Sequence, residues 1–290
     1  MPLFVGIDFG TSSVRCQALN ADGHSVADSR QTLPVPDNPA AGHYQQSPGV
    51  WIQALDQALE QLFKQIDSQQ VRAFCVDATS STVLLCDAAL NYAGDALMYN
   101  DLRATEQVVE IRRHAPVGHI CATASSSLAK ALWLIEHHRA DEQQKVLHQA
   151  DFINAYLLGK LPESDPNNSL KLGYDCEHLC WPAWLADFSG NIAARLADVV
   201  TTGSNLGYID AALCDKFQLH PLTQVIAGTT DSTASSLATG IEQVGDAVTT
   251  IGTTMTMKII TATPIENLDY GVYSHLLPNS LWLTGGASNA

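Results

Sequence analysis

Two short polar stretches carry the side chains best placed for chemistry. In "GIDFGTSSVR", residues 6–15, Asp8 interrupts an otherwise apolar and polar alternation and is followed by Gly10, Thr11, Ser12 and Ser13. A glycine there lets the backbone come close to a ligand, and the N–H groups that follow suit an anion such as a phosphate. A carboxylate beside a phosphate needs a cation between them, so this turn reads as a nucleotide-phosphate loop with Asp8 facing a hydrated Mg²⁺. The same residues also fit an ordinary hairpin with a polar turn. In "GTTDSTAS", residues 228–235, Asp231 follows a Gly-Thr-Thr turn at the start of a helix pattern. It is either a carboxylate fixed by backbone to face a cleft or simply an N-cap.

The elements that must position these residues alternate between strand and helix patterns. "LFVGIDFG", "VRCQALNADG" and "HSVADSRQTL" read as a strand meander, with an Asp-Gly turn at Asp22 and Gly23. Ser47 stands where a helix cap is expected and Pro48 where that helix starts, and "WIQALDQALEQLFKQI" has helical apolar spacing. "VRAFCVDATSSTVLLCD" returns to strands, and "TQVIAGTTDSTASSLATGI" reads as strand, polar turn and helix. This order predicts a layered α/β domain with a mostly parallel or mixed sheet. "VTTIGTTMTMKII", near the C-terminus, repeats the opening strand, Gly-Thr-Ser/Thr turn and strand. Two such turns suggest related halves, each presenting a phosphate loop.

Composition narrows the partners. The 290 residues are 46% hydrophobic, enough to bury a core, and 30 acidic against 15 basic side chains give a net charge of −15. That balance disfavours nucleic acid or an anionic membrane as partner. No apolar run approaches a membrane span, and the cytoplasm is the expected compartment. Seven scattered cysteines fit reduced thiols, and "CEHLC" (Cys176, His178, Cys180) matches no standard zinc spacing.

Several further segments, taken with the first turn, resemble the FGGY carbohydrate kinase family over essentially the whole chain. "YQQSPGVW" at residues 44–51 is similar to the family's Gln-x-Pro-x-x-Trp helix start, "YNDLRA" at 99–104 to its Asp-x-Arg segment, and "SSSLAKALWLIEHH" at 125–138 to its Lys-x-x-Trp signature. "VDATSST" (76–82), "LHQADFINAYLLGKLPESDPNNSLKLGYD" (147–175) and "GTTDSTAS" most resemble its D-ribulose kinase-like, xylulokinase-related branch. A xylulokinase would show Gln-Met-His where this chain has Ala78, Thr79 and Ser80, and Asp-Asn where it has Asp231 and Ser232.

The resemblance implies an α/β actin-like ATPase (ribonuclease H-like) fold: a complete N-terminal sugar-binding domain, residues 1–225, and the first part of a similar nucleotide-binding domain, 226–290. It implies transfer of the ATP γ-phosphoryl group to the primary hydroxyl of a ketopentose, D-ribulose above D-xylulose. Asp231 is then the base, Asp8 orients Mg²⁺ through water, and Gly10, Thr11, Ser12, Gly252, Thr253 and Thr254 form the two phosphate loops. Asp77, Ser80 and Ser232 are the expected sugar contacts, since short polar side chains suit buried hydroxyls; a Ser/Thr turn explains 77–82 as well. Asp101 and Arg103 are expected as a structural ion pair at the cleft wall, with a sugar contact as the alternative. Lys130 and Trp133, at i and i+3, are expected to pack with the Trp in the core and the Lys stem along it.

Relatives in the family continue beyond the Gly-Gly-Ala segment at which this chain is nearly finished, so a shortened form with weak or no catalysis is expected. Val248, Ile251, Met255, Met257, Ile259 and Ile260 are expected to lack partners on at least one sheet face, making residues 226–290 either self-associating as a homo-oligomer or less protected. A non-catalytic sugar-binding protein of the same fold is the alternative from another class, and retention of both Asp8 and Asp231 argues against it.

Overall fold

The computed structural model describes residues 1–138, 141–251 and 254–289. Period-two burial builds the first strands. Leu3, Val5, Ile7 and Phe9 enter the core from β1 (Leu3–Phe9), while Phe4 faces out. β2 (Ser13–Asn20) and β3 (Ser25–Thr32) follow as antiparallel neighbours, joined through Gly23 at φ 78°, a conformation glycine adopts without strain. After the short β4 (Gln45–Gln46), α1 (Pro48–Leu62) buries Trp51, Leu55, Ala58, Leu59 and Leu62 against β2 and β3. Ser47 is the N-cap residue but makes no capping hydrogen bond; its hydroxyl lies 3.4 Å from Tyr92 Oη. Pro48 supplies the pre-set first turn instead.

β5 (Val71–Ala78) runs parallel to β1. β6 (Val83–Cys86), β7 (Ala96–Leu97) and β8 (Lys145–His148) join β4 in a small sheet of order β4-β7-β6-β8, packed by α3 (Ser127–His137), which follows α2 (Thr105–His114). α4 (Gln149–Leu158) covers β5. The short α5 (Pro166–Ser169) and α6 (Ile192–Arg195) lead to β9 (Asn205–Tyr208), α7 (Ala211–Phe217), β10 (Gln224–Thr230) and α8 (Asp231–Leu237). The main sheet has order β3-β2-β1-β5-β10-β9, with β1, β5 and β10 parallel at its centre. A junction at residue 225 would therefore cut β10, which pairs within this first sheet.

The second sheet begins with β11 (Ala247–Ile251) and continues with β12 (Thr254–Thr261), β13 (Tyr273–Leu276) and β14 (Trp282–Asn289) in the antiparallel order β11-β12-β14-β13. Like β1 and β2, β11 and β12 form an antiparallel pair. Ile251, Met255, Met257 and Ile259 are exposed, whereas Ile260 is buried with Leu277 and Leu283. Thus four of the six residues expected on an unpartnered face are exposed, while Val248 is half-buried and Ile260 is not part of that face.

The Lys-x-x-Trp pair is arranged opposite to expectation. Lys130 is fully buried, its Nζ donating to the carbonyls of Ser81 and Met98, and Trp133 is only half-buried, with Arg103 4.9 Å from its ring centroid. The spacing gives a shared helix face but not depth, and two inward-pointing carbonyls draw the ammonium inside. Asp101 and Arg103 pair at 2.9 Å. Among the described residues no cluster of metal-ligating side chains occurs, at "CEHLC" or elsewhere.

Candidate active site

The centre of the main sheet sets three carboxylates at one end. In the strand register Asp8 lies opposite Asp77, and Asp77 opposite Thr229, two residues before Asp231. Neighbouring strands run about 4.8 Å apart, so Asp8 and Asp77 project side by side. β10 reaches them through an irregularity between Ile226 and Thr229. A Cβ on Gly228 would sit 1.8 Å from the Val76 carbonyl oxygen, so only glycine lets the chain pass this close to β5 before turning into α8.

Asp231 is the first residue of α8, and the N-cap is Thr230 in extended conformation, with no side-chain capping bond. The Asp231 carboxylate accepts from the Ser232 backbone N–H at 2.7 Å. It is therefore held by its own turn, as a cleft-facing carboxylate should be, without serving as the cap. Asp8, Gly10, Arg15, Asp77, Asp231 and Ser232 line a common cleft of about 870 Å³.

Crowding of these carboxylates changes their ionisation. Burial, then repulsion from Asp8 and Asp231, pushes the Asp77 carboxyl up to about 8, against the pull of Arg15. Burial also raises Asp231; its hydrogen bond from Ser232, together with Lys258 and Lys171, works in the other direction. Asp8 is paired with Arg15 at 3.0 Å.

The raised Asp77 carboxyl has a stability consequence with a definite sign. An unfolded Asp loses its proton near pH ~4, whereas folded Asp77 keeps it to about 8. Its stabilising share is full below pH ~4 and is lost as pH rises through the folded value. Asp77→Asn is expected to melt like the parent at or below pH ~4 and a few degrees above it at pH 9. Equal melting curves at both pH values would mean that Asp77 is not held protonated.

Other expected contacts are placed as follows. Ser80 is half-buried in the turn between Thr79 and Thr82 and is not among the residues that line the cleft. The next residue, Ser81, has φ 70°, and its carbonyl is gripped by Lys130. The Ser81 hydroxyl and Gln149 Nε2 are buried polar atoms without partners among the described residues. Ser232 lines the cleft, but its hydroxyl accepts from Lys258 Nζ at 3.0 Å. Thr11 and Ser12 are exposed between β1 and β2, and the Gly10 N–H donates to the Ser13 carbonyl, closing the turn. Gly252 and Thr253 lie outside the described residues, and Thr254 opens β12.

Arg15 and Lys258 are the charged neighbours that sequence reasoning missed. Arg15 had a signal in the alternation of β2, whose exposed positions include Arg15 and Gln17. Lys258 is the one charge inside the apolar run "TMTMKII".

Comparison with known proteins accords with this arrangement. Residues 3–238 match the N-terminal domain of the FGGY family of carbohydrate kinases. A xylulose kinase of Lactococcus lactis is 24% identical over 98% of this chain and 59% of its own length, and one of Escherichia coli is 22% identical over 95% and 58%. The chain thus spans less than two thirds of the length of these relatives. Among solved structures, the xylulose kinase of Rhodospirillum rubrum superimposes with a TM-score of 0.87 at 23% identity, covering 99% of this chain and 61% of that one. A Plasmodium falciparum glycerol kinase solved with ADP gives a TM-score of 0.87 at 16% identity, with 100% and 61% coverage. The architecture is the actin-like α/β ATPase fold, and the extent of the family match shows that this chain belongs to the FGGY family of carbohydrate kinases.

Proposed function

We propose that the protein containing this chain transfers the ATP γ-phosphoryl group to the primary hydroxyl of a ketopentose. The observation that carries this reading is the meeting of Asp8, Asp77 and Asp231 in one cleft at the ends of parallel strands. Asp231 takes the hydroxyl proton while the sugar oxygen forms its bond to phosphorus and the bond from phosphorus to the ADP oxygen breaks. Burial raises the proton affinity of this carboxylate, which favours the role, because the best proton acceptor has an affinity shifted toward the working pH.

Crowded carboxylates suit a cation, and we assign Asp8 to hold Mg²⁺ through water. When bound, that ion neutralises charge on the phosphates. Gly10 lines the cleft, and a Cβ there would meet only the Ser13 carbonyl, at 3.6 Å. The chain's own packing does not demand glycine at this position, which fits space kept for a phosphate beside Thr11 and Ser12. We assign the opposing loop to Gly252, Thr253 and Thr254, and the start of a nucleotide-binding domain to the residues after α8. We assign the reaction to the cytoplasm as the compartment that supplies ATP. No described helix is long and apolar enough to cross a membrane.

For the sugar, we propose contacts from Asp77, Ser80 and Ser232, with Asp77 protonated and so able to donate to a hydroxyl. Unpartnered polar atoms near the 79–82 turn suit a hydroxyl-rich ligand. D-ribulose is favoured by the Ala78-Thr79-Ser80 and Asp231-Ser232 segments; D-xylulose is the competitor, favoured by the names of the relatives. Coupled ADP release by the full-length protein over ketopentoses and polyols tests both. D-ribulose is expected to react at least tenfold better than D-xylulose, because the wrong epimer leaves a buried polar group unpaired. Preference for xylulose or glycerol would overturn the sugar assignment, and no ADP release with any of them would overturn the kinase reading.

A further inference from the structure

Lys258 is a buried cation whose surroundings give it work to do. On β12 the exposed side chains are Met255, Met257 and Ile259, and the opposite face carries Lys258 and Ile260 inward. Lysine is almost never fully buried without partners, and Lys258 is only 9% exposed. Its Nζ donates to the Ser232 carbonyl at 2.9 Å and to the Ser232 hydroxyl at 3.0 Å. Both acceptors belong to the first turn of α8, directly after Asp231. The Ser236 hydroxyl donates to the same carbonyl at 2.8 Å, so that turn is pinned from inside its own helix and from the second sheet.

The charges around this turn come from several elements. Asp8 from β1 repels the Asp231 carboxylate, Asp77 from β5 stands beside them in its protonated form, Arg15 from β2 pairs with Asp8, and Lys171, just after α5, adds a second cation. Lys171 stands 5.3 Å from the centre of the Tyr273 ring. His275 from β13 is buried, and burial with these two lysines keeps it neutral. Burial brings Lys258 itself down to about 8, with Asp231 resisting the change, so the ammonium is charged at neutral pH.

We propose that Lys258 is a positioning residue for Asp231: it ties the first turn of α8 to the second sheet and sets a positive charge beside the carboxylate. This rests on Asp231 being the base. A base must be ionised before it can take the sugar proton, and among three crowded carboxylates a nearby cation favours that form. The hydrogen bonds to Ser232 fix direction, and a small misplacement of a reacting group is enough to slow transfer strongly.

Three substitutions in the full-length protein separate these contributions. Lys258→Gln keeps a donor toward Ser232 and removes the charge; Lys258→Met removes both; Lys258→Arg keeps the charge. The acid limb of kcat/KM for the best sugar is expected to move up by about one pH unit in Lys258→Gln, the shift typical of losing one close opposite charge. Lys258→Met is expected to lose about tenfold more in kcat than in sugar affinity, and Lys258→Arg to restore the parent pH profile. A purely structural lysine would lower the melting temperature and leave the acid limb in place. That outcome, with Asp231→Asn inactive, would overturn the role of Lys258 and spare the kinase reading. Retained turnover in Asp231→Asn would overturn both. If Lys258→Met does not fold, the Gln and Arg profiles decide alone.

Discussion

Asp231→Asn is expected to lower sugar phosphorylation by the full-length protein about 10²-fold or more, the usual share of one well-placed proton acceptor. Sugar affinity is expected to change little, because the asparagine keeps the volume and a carbonyl oxygen able to accept from the Ser232 N–H. The loss should fall on kcat, since the missing interaction is made as the proton moves. Calorimetric titration with sugar, run beside steady-state kinetics, separates the two effects. Turnover within about threefold of the parent would mean that no proton passes to this residue.

The largest expected effect on stability lies away from the cleft, at Asp101. Its carboxylate is fully buried and accepts from the Tyr44 N–H at 2.6 Å, the Arg103 N–H at 3.0 Å and Arg103 Nε at 2.9 Å. The Arg103 side chain is 7% exposed and also donates to Gln45 Oε1. Asp101→Ala leaves that guanidinium buried without its counter-charge, which costs about 3–5 kcal/mol. Urea unfolding should show a lower midpoint with an unchanged slope. A loss below about 1 kcal/mol would place the pair in the class of solvent-exposed ion pairs instead.

Local patterns made much of this molecule legible in advance. The alternation around Asp8, the Asp-Gly turn at Asp22 and Gly23 and the helical spacing after Pro48 each reflect chemistry within a few residues, and each element formed. Asp231 is singled out by the resemblance, since the residues around it fit an N-cap equally well; the Gly-Thr-Thr segment that reads as a turn is the end of β10, where Gly228 permits the close approach to Val76. What stayed hidden depends on contacts distant in sequence. The Ser232 hydroxyl looked free for a ligand, yet it accepts from Lys258 on another sheet. Lys130 and Trp133 share a helix face, but their relative depth is decided by the carbonyls of Ser81 and Met98. The apolar run leading to Gly228 would suit either sheet, and only its pairing with β5 assigns β10 to the first. No residue spacing could show that Asp77 stands next to Asp8, because that proximity comes from strand order.

The central claim is that this cleft directs phosphoryl transfer to a sugar hydroxyl. Phosphorus NMR of the full-length protein incubated with ATP, Mg²⁺ and D-ribulose tests it most directly, with Asp231→Asn run in parallel. The account predicts a new phosphomonoester on the primary carbon, formed in step with ADP and absent from the variant reaction. ATP consumed only to inorganic phosphate, or the same sugar ester formed equally fast by the variant, would contradict it.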